Sequence, residues 1–392
     1  MKLRRIPEDF QVDEQTDVQI GQGPHALYRL TKRSIGTPEA VGSIIDRWRI
    51  PRKRISYGGL KDRHAVTTQH VTIHHGPKKN LEQQSLDLRY LGQTAKPFQS
   101  SQIRSNQFEL TMRDMTETEV AHAQQAVGVV RETGLPNYFD NQRFGSLGFT
   151  GEWIGKAWCL GNYERALWLA LADLNADDRS QEKKQKKLLA DHWGEWVTCK
   201  AALDKSHRRS VVTFLADKEA AGLPIDFKRA FACISVDLRG LYLSAFQSAL
   251  WNRLLTAWQD KRIAPDERID FDLKSGRCCF ARSAVGHDDS AFEASLMLPS
   301  ARQKEIDEPT AALLGDVLRA EDMELRELRV KFPRDSFFSK STRKTLIMPG
   351  GLQTEAATDD LFPGKQKLRL QFELPRGSYA TILIKRLSED AI

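Results

Sequence analysis

The order of alternating and helical segments along the chain constrains the fold more than any other feature of the sequence. Residues 66–73 and 106–113 are rich in β-branched or apolar residues and alternate in part, and 367–374 alternates strictly, so all three are predicted strands. Helical spacing fills the middle of the chain, at 163–174, 183–192 and 241–258. Since 392 residues suffice for two or three domains, we predict an α+β fold with one domain inserted into another.

Two further elements refine this prediction. Residues 117–131 have the composition of a helix, and Thr116 or Thr118 stands where a capping residue is expected. After a turn at 375–377, the apolar, β-rich segment Tyr379–Leu387 is predicted to be a second C-terminal strand. The two C-terminal strands are expected to complete the sheet that the N-terminal strands begin.

The positive charge of the chain is concentrated in one window. Residues 41–80 hold nine Lys and Arg against two acids, which accounts for the whole formal net charge of +7. A local basic field attracts anions, and nucleic acid is the usual polyanion. A solvated basic face that only keeps the protein soluble is the alternative.

Several classes of protein lack support in the sequence. No run of about 18 apolar residues predicts a membrane span, and the N-terminal residues show no apolar signal segment. Five scattered cysteines form no C-x-x-C pair, which argues against a disulfide framework or a zinc site. We therefore expect a cytoplasmic protein with free thiols and no metal.

One carboxylate stands out inside the basic window. In the segment 56–69, which joins a glycine turn to a predicted strand, Asp62 is flanked by Lys61 and Arg63. Two adjacent cations favour the ionised form of a carboxylate, which suits a nucleophile better than a general acid. The alternative is an ordinary charged loop tip.

A second segment, 135–145, interleaves aromatic and polar side chains. Its aromatic members offer a surface on which a base can stack, and its amides and guanidinium can bind a uracil edge and a phosphate. These residues are Tyr138, Phe139 and Phe144, with Asn137, Gln142 and Arg143 between them. A buried aromatic turn whose amides bind the backbone is the alternative.

Both segments carry a family resemblance. GGLKDRHAVTTQ (58–69) closely resembles the G-x-K-D-[RK]-x-A-x-T-x-Q motif of the TruD family of tRNA pseudouridine synthases, and PNYFDNQRFGS (136–146) resembles its N-Y-F-G-x-Q-R-F-G motif. Shorter matches occur in the family's order at 7–14, 241–252 and 374–387. The chain departs from the motifs at Asp140, where the family usually has Gly, and at Arg386, where it usually has Glu.

The resemblance implies a pseudouridine synthase catalytic fold, a mixed and mainly antiparallel sheet with flanking helices. Residues 1–150 and 341–392 are expected to form this catalytic domain. Residues 151–340 are expected to form an inserted TRUD-type α+β domain.

The resemblance also implies an activity. The family flips a uridine out of tRNA, at position 13 in the D-arm region, and isomerises it to pseudouridine, with Asp62 as the nucleophile here. No cofactor, metal or obligate protein partner is implied, and we expect a monomer. A catalytically silent RNA-binding module on the same fold is one alternative. An unrelated carboxylate enzyme acting on a small acidic molecule is another, and its binding would be insensitive to salt.

Roles for other residues follow from their places in the family's motifs. Phe139 is expected to stack on the target uracil and Asn137 to hydrogen-bond it. Phe372 is expected either to close the pocket or to be a core residue of its strand. Glu14 and Lys61 are expected to position Asp62 as ion-pair partners. Phosphate contacts are expected from Arg63, Arg143 and the basic run 52–54.

Overall fold

The computed structural model describes residues 1–284, 289–303 and 306–388. The chain divides into two compact units. Among the described residues, unit 1 comprises 1–135, 283–284 and 346–388, and unit 2 comprises 136–282, 289–303 and 306–345. Both ends of the described chain therefore belong to the same unit.

The strands and helices follow in chain order. The strands are β1 (Phe10–Thr16), β2 (His25–Arg33), β3 (Ile55–Tyr57), β4 (Val66–His74), β5 (Leu81–Gln83), β6 (Leu86–Thr94), β7 (Ile103–Met115), β8 (Leu135–Pro136), β9 (Arg268–Leu273), β10 (Gly276–Ala281), β11 (Ser295–Met297), β12 (Thr342–Lys344), β13 (Leu346–Ile347), β14 (Gly350–Thr358) and β15 (Gln366–Pro375). The α-helices are α1 (Thr37–Trp48), α2 (Glu117–Thr133), α3 (Ile154–Cys159), α4 (Tyr163–Leu171), α5 (Ser180–Asp191), α6 (Trp196–Ala202), α7 (His207–Ala220), α8 (Phe227–Ala232), α9 (Val236–Asp260), α10 (Glu308–Arg319) and α11 (Ala380–Ser388).

Unit 1 is built on one mixed sheet. Its strand order is β14-β15-β7-β1-β4-β2-β6-β5, and β3 pairs with β4. The pair β1–β4 is parallel, and the other strand pairs of this sheet are antiparallel. The C-terminal strand β15 lies against β7 with Phe372 opposite Phe108. The prediction that the strand at 367–374 completes the sheet of the N-terminal strands is therefore confirmed.

Helix α1 covers part of the sheet because its apolar residues fall on one side. Val41 and Ile44 pack against inward-facing side chains of three strands, including Tyr28, Val71 and Leu88, and all of these residues are buried. Burial of each such side chain stabilises the fold by about 1.5–3 kcal/mol. This core lies beside the turn that leads into residues 58–64.

The predicted helix at 117–131 is α2, and its cap is Thr116. The Thr116 hydroxyl accepts a hydrogen bond from the Glu119 amide at 3.1 Å, and the Glu119 carboxylate accepts one from the Thr116 amide at 2.6 Å. This reciprocal arrangement satisfies two backbone donors at the start of the helix.

The prediction of a strand over Tyr379–Leu387 is wrong. Beyond Gly377, whose φ is 84°, the chain forms helix α11, which packs on α2. Leu383 and Leu387 are one helical turn apart and both buried. An apolar run rich in β-branched residues does not by itself distinguish a strand from a buried helix, and packing against α2 decides between them here.

A buried arginine ties the N-terminal residues to this sheet. Arg113 on β7 lies 2.7 Å from a carboxylate oxygen of Asp9 and 2.8 Å from one of Asp359. The second oxygen of Asp9 accepts hydrogen bonds from the amides of Arg5, at 2.9 Å, and Ile6, at 3.1 Å. The segment before β1 is thus held in a defined path.

Unit 2 is mainly helical and is organised around α9, a helix of 25 residues. Helices α3 and α10, strand β10 and residues 141–144 all pack against α9. The predicted helices at 163–174, 183–192 and 241–258 are confirmed as α4, α5 and α9, with shifted ends. The hairpin of β9 and β10 and helix α10 lie in segments for which the sequence predicted no element.

Two absences hold for the part of the chain that the structure describes. There, no helix is both long and apolar enough to cross a bilayer. Nor do three or more His, Cys, Asp or Glu side chains in those residues come together in a way that could hold a metal ion.

Candidate active site

Asp62 lies in the turn between β3 and β4, which we call the 58–64 loop. Its side chain is 28 % exposed, and one carboxylate oxygen lies 3.3 Å from Nη2 of Arg4. Arg4 has a left-handed backbone with φ of 53°, and its guanidinium lies 3.8 Å from the centroid of the Phe10 ring. A guanidinium that is stacked on a ring and tied to the anchored 5–9 turn restricts the directions available to the Asp62 carboxylate.

Three buried side chains hold the backbone of the 58–64 loop. The Thr37 hydroxyl, in the first turn of α1, accepts a hydrogen bond from the Lys61 amide at 3.0 Å and donates one to the Gln69 side chain at 2.8 Å. Gln69 on β4 in turn donates to the carbonyl of Gly59 at 3.1 Å. The third is Lys32 on β2, whose ammonium donates to the carbonyl oxygens of Lys61 and Asp62.

Lys61 and Glu14, both expected to position Asp62 as ion-pair partners, form an ion pair with each other. The Lys61 ammonium lies 3.3 Å from the carboxylate of Glu14 on β1 and also donates to the side chain of Asn106. The Glu14 side chain has no exposed surface and accepts a hydrogen bond from the His70 amide at 2.8 Å. Burial alone raises the pKa of Glu14, but the hydrogen bonds from His70 and the charge of Lys61 outweigh burial and lower the pKa. Glu14 is therefore anionic at neutral pH.

The two cations that flank Asp62 in the sequence have their own carboxylate partners. Arg63 is half exposed and pairs with Glu39 of α1 at 3.2 Å, whereas Lys61 is paired with Glu14 as described above. A cation pointing at the Asp62 carboxylate is supplied instead by Arg4, 58 residues away in the sequence.

Phe372 belongs to a row of aromatic side chains across three strands. Its ring stacks on that of Phe108, with centroids 5.2 Å apart, and Phe108 meets the ring of Phe10 edge to face at 6.3 Å. Phe372 is only 2 % exposed. The row joins Phe372 to the ring on which the guanidinium of Arg4 rests.

The aromatic segment lies in unit 2, where residues 137–145 form what we call the 137–145 loop. Phe139 and Asn137 are both buried. The side chain of Asn252 on α9 accepts a hydrogen bond from the Phe139 amide and donates one to the Phe139 carbonyl, each at 2.8 Å. Both backbone polar groups of Phe139 are therefore fixed by one side chain.

Arg343 on β12, 206 residues from Asn137 in the sequence, also holds the 137–145 loop. Its guanidinium donates to the carbonyl oxygen of Asn137 at 2.8 Å and to the side-chain oxygen of Asn137 at 2.5 Å. It also lies 4.1 Å from the centroid of the Phe139 ring and 5.2 Å from that of Trp251. Because the Asn137 amide nitrogen donates to the Lys344 carbonyl at 3.1 Å, the orientation of this amide is set at both ends.

Arg143 lies in the same loop. Its guanidinium donates to the Ser248 hydroxyl of α9 at 3.1 Å and lies 5.5 Å from the centroid of the Phe139 ring. Unit 2 thus brings together Asn137, Phe139 and Arg143, and unit 1 brings together Glu14 and Lys61.

Sequence reasoning missed the residues that hold these groups in place. Trp251 and Asn252 lie in a segment that resembles the family, but no role was assigned to them. Neither Arg4 nor Arg343 stands out in the sequence, because each lies far along the chain from its partner. The 58–69 motif includes Gln69, but the sequence does not show that the Gln69 side chain hydrogen-bonds the backbone of the loop.

Comparisons with known proteins identify the family of this chain. The family model described as tRNA pseudouridine synthase D (TruD) matches residues 1–387. This chain belongs to the TruD family. Members at moderate identity cover nearly its full length. The probable tRNA pseudouridine synthase D 1 of Methanococcus maripaludis is 32 % identical over 99 % of both chains. The tRNA pseudouridine synthase D of Aquifex aeolicus is 27 % identical over 99 % of this chain and 98 % of its own.

A solved structure from the TruD family shows the same fold. The crystal structure of the putative tRNA pseudouridine synthase D (TruD) of Methanosarcina mazei superposes with a TM-score of 0.72. It is 23 % identical in sequence and covers 98 % of this chain and 93 % of its own. The expected fold class, α+β with a mixed and mainly antiparallel sheet, is confirmed by this likeness and by the sheet of unit 1.

Proposed function

We propose that this chain is a tRNA pseudouridine synthase that isomerises a uridine of tRNA, at position 13 in the D-arm region, with Asp62 as the nucleophile. Membership of the TruD family supports the reaction class. The single observation that carries the assignment of Asp62 is its setting: a partly exposed carboxylate, paired with Arg4, on a loop whose backbone is held by buried side chains.

The reaction exchanges one bond for another within the same nucleotide. The bond from N1 of uracil to C1′ breaks, the base turns over, and C5 bonds to C1′. C5 loses its hydrogen and N1 gains one, so atoms and electrons balance without a further reactant. Asp62 would supply the nucleophile that makes the base detachable, and the target uridine must leave the RNA stack to reach it.

The remaining site residues have proposed roles in holding RNA. Phe139 would stack on the target uracil and Asn137 would hydrogen-bond it, with Arg343 and Asn252 fixing their positions. Phe372, a buried residue of β15, is proposed to close the pocket around the base. Arg63 and Arg143 are proposed to bind phosphates, as is the run 52–54. The contact by Arg54 is secondary, since its guanidinium also donates to the carbonyls of His74 and His75.

The proposal extends to partner and compartment. We propose that the protein acts on tRNA as a monomer in the cytoplasm, where its five free cysteines would stay reduced.

Substitution of the nucleophile tests the proposal directly. Asp62→Asn should abolish pseudouridine formation on tRNA under single-turnover conditions and leave tRNA affinity within a few fold, since a carboxylate and an amide have almost the same size. Asp46→Asn is the matched control. It removes the only other acid of the basic window, from an exposed position on α1.

The outcomes separate the candidate functions. Pseudouridine at position 13 with the unmodified chain and with Asp46→Asn, but not with Asp62→Asn, supports the proposal. Tight tRNA binding without product from the unmodified chain would favour a silent RNA-binding module. Full activity of Asp62→Asn would show that another group is the nucleophile.

A further inference from the structure

The 58–64 loop rests on a buried lysine that belongs to none of the motifs. Lys32 on β2 is fully buried. Its ammonium donates to the carbonyl oxygens of Ile35 at 2.8 Å, Lys61 at 3.2 Å and Asp62 at 2.5 Å. An ammonium has three N–H donors, so these carbonyls match its full donor capacity. Two of them belong to the loop, and one is the carbonyl of the proposed nucleophile itself.

The charge of Lys32 is energetically expensive where it lies. Among the described residues, no carboxylate oxygen lies within 4.0 Å of the Lys32 ammonium, the distance of an ion pair. An ammonium without a carboxylate partner is costly to bury. Burial lowers the pKa of Lys32 to about 8. The charged groups that act on it are Asp62 and Glu39, which favour its protonated form, and Lys61, which opposes it.

The other two buried supports of the loop are neutral and bind elsewhere. Thr37 holds the amide of Lys61, and Gln69 holds the carbonyl of Gly59. Neither binds the main chain of Asp62, whereas Lys32 donates a hydrogen bond to its carbonyl oxygen at 2.5 Å. A rotation of the peptide that follows Asp62 turns the Cα–Cβ bond of Asp62 and with it the carboxylate.

We propose that Lys32 is a positioning residue for Asp62, acting through the main-chain carbonyl of the nucleophile. The inference rests on the proposed function for its kinetic consequence, but not for its effect on the loop. In its protonated form Lys32 ties two carbonyl oxygens of the loop to that of Ile35. The neutral amine has fewer donors and turns a lone pair toward carbonyl oxygens.

The first experiment compares Lys32→Met with Lys96→Met, a control at an exposed position of the same unit. Lys32→Met should lower the single-turnover rate at saturating tRNA by about 100-fold, because a small misplacement of a reacting group costs that much. The KM for tRNA should stay nearly unchanged, since Lys32 is fully buried and does not itself reach RNA. Equal rates for Lys32→Met and Lys96→Met would overturn the inference.

Hydrogen–deuterium exchange without RNA separates this inference from the proposed function. Lys32→Met should speed exchange in the 58–64 loop and leave β7 as protected as in the unmodified chain. Unchanged exchange in the loop counts against the role of Lys32, whatever the enzyme does. An unmodified chain that forms no pseudouridine counts against the proposed function, whatever the loop does.

Lys32→Arg provides a second variant if Lys32→Met does not fold. A guanidinium stays protonated throughout the accessible pH range, whereas the Lys32 ammonium deprotonates near pH 8. The rate of the unmodified enzyme should therefore fall as pH rises through about 8, and the rate of Lys32→Arg should not fall in that range. Identical pH profiles for the two proteins would contradict the inference.

Discussion

Arg343 donates hydrogen bonds to both the main-chain and the side-chain oxygen of Asn137, although 206 residues separate the two in the sequence. The same guanidinium lies over the Phe139 ring. One side chain therefore sets the position of both residues that we propose to hold the target base.

Replacement of Arg343 by lysine should impair catalysis although the charge is kept. An ammonium cannot reproduce the planar fork that meets two oxygens, nor the stacking on Phe139. We expect a loss of about 2 kcal/mol, or roughly thirtyfold in kcat/KM for tRNA. Arg326→Lys is the matched control, since Arg326 is 79 % exposed and pairs with Glu324. If both variants keep the activity of the unmodified chain, Arg343 does not organise the site.

Arg4 should matter to the chemical step because it is paired with Asp62. Arg4→Gln removes the charge that orients the carboxylate, so the single-turnover rate at saturating tRNA should fall by roughly 10- to 100-fold. The adjacent residue offers a control: Arg5 is exposed, and Arg5→Gln removes the same charge one position along the chain. Equal losses in the two variants would point to a general effect of charge on RNA binding.

The buried ion network of Arg113 should contribute mainly to stability. Its side chain is 5 % exposed, and those of Asp9 and Asp359 are 1 % and 0 % exposed. Arg113→Met leaves two buried carboxylates without their cation and should lower the free energy of unfolding in urea by about 3–5 kcal/mol. Arg89→Met breaks a surface pair with Asp87 and should cost less than about 1 kcal/mol. Similar urea midpoints of unfolding for Arg113→Met and Arg89→Met would show that the buried network does not stabilise the fold.

The lowered pKa of Glu14 predicts how the stability of the protein depends on pH. Its pKa is lower in the folded protein than the ordinary 4.5, so its contribution to stability is complete above that value and is lost as pH falls through the folded pKa. In urea, Glu14→Gln should have a lower free energy of unfolding than the unmodified chain at neutral pH. The difference between the two free energies should become smaller below about pH 4.5. Glu82→Gln, at an exposed position on β5, should show no such change. If the difference in free energy of unfolding between Glu14→Gln and the unmodified chain does not change with pH, the charge of Glu14 adds no stability.

Local sequence patterns predicted the elements that depend on local physics. The strand β7 and the capped helix α2 follow from alternation and from the hydroxyl of Thr116, and the structure contains both. The motif at 58–69 identified the loop that carries Asp62, and the one at 136–146 identified Phe139 and Asn137. The segment Tyr379–Leu387 was assigned wrongly, because its apolar residues suit a strand or a buried helix equally and only its packing on α2 selects the helix.

The sequence by itself determined the α+β class and the basic window, and it singled out Asp62 as the proposed nucleophile. Only the tertiary structure decided what holds that carboxylate: Arg4 beside its side chain and Lys32 beneath its backbone. Neighbours in the sequence were expected to do this, yet Lys61 and Arg63 pair with Glu14 and Glu39. The reason is geometric, since alternate side chains of a strand or turn point in different directions and each charge meets what the fold brings to it. Such partners come from distant segments and leave no local pattern to be read.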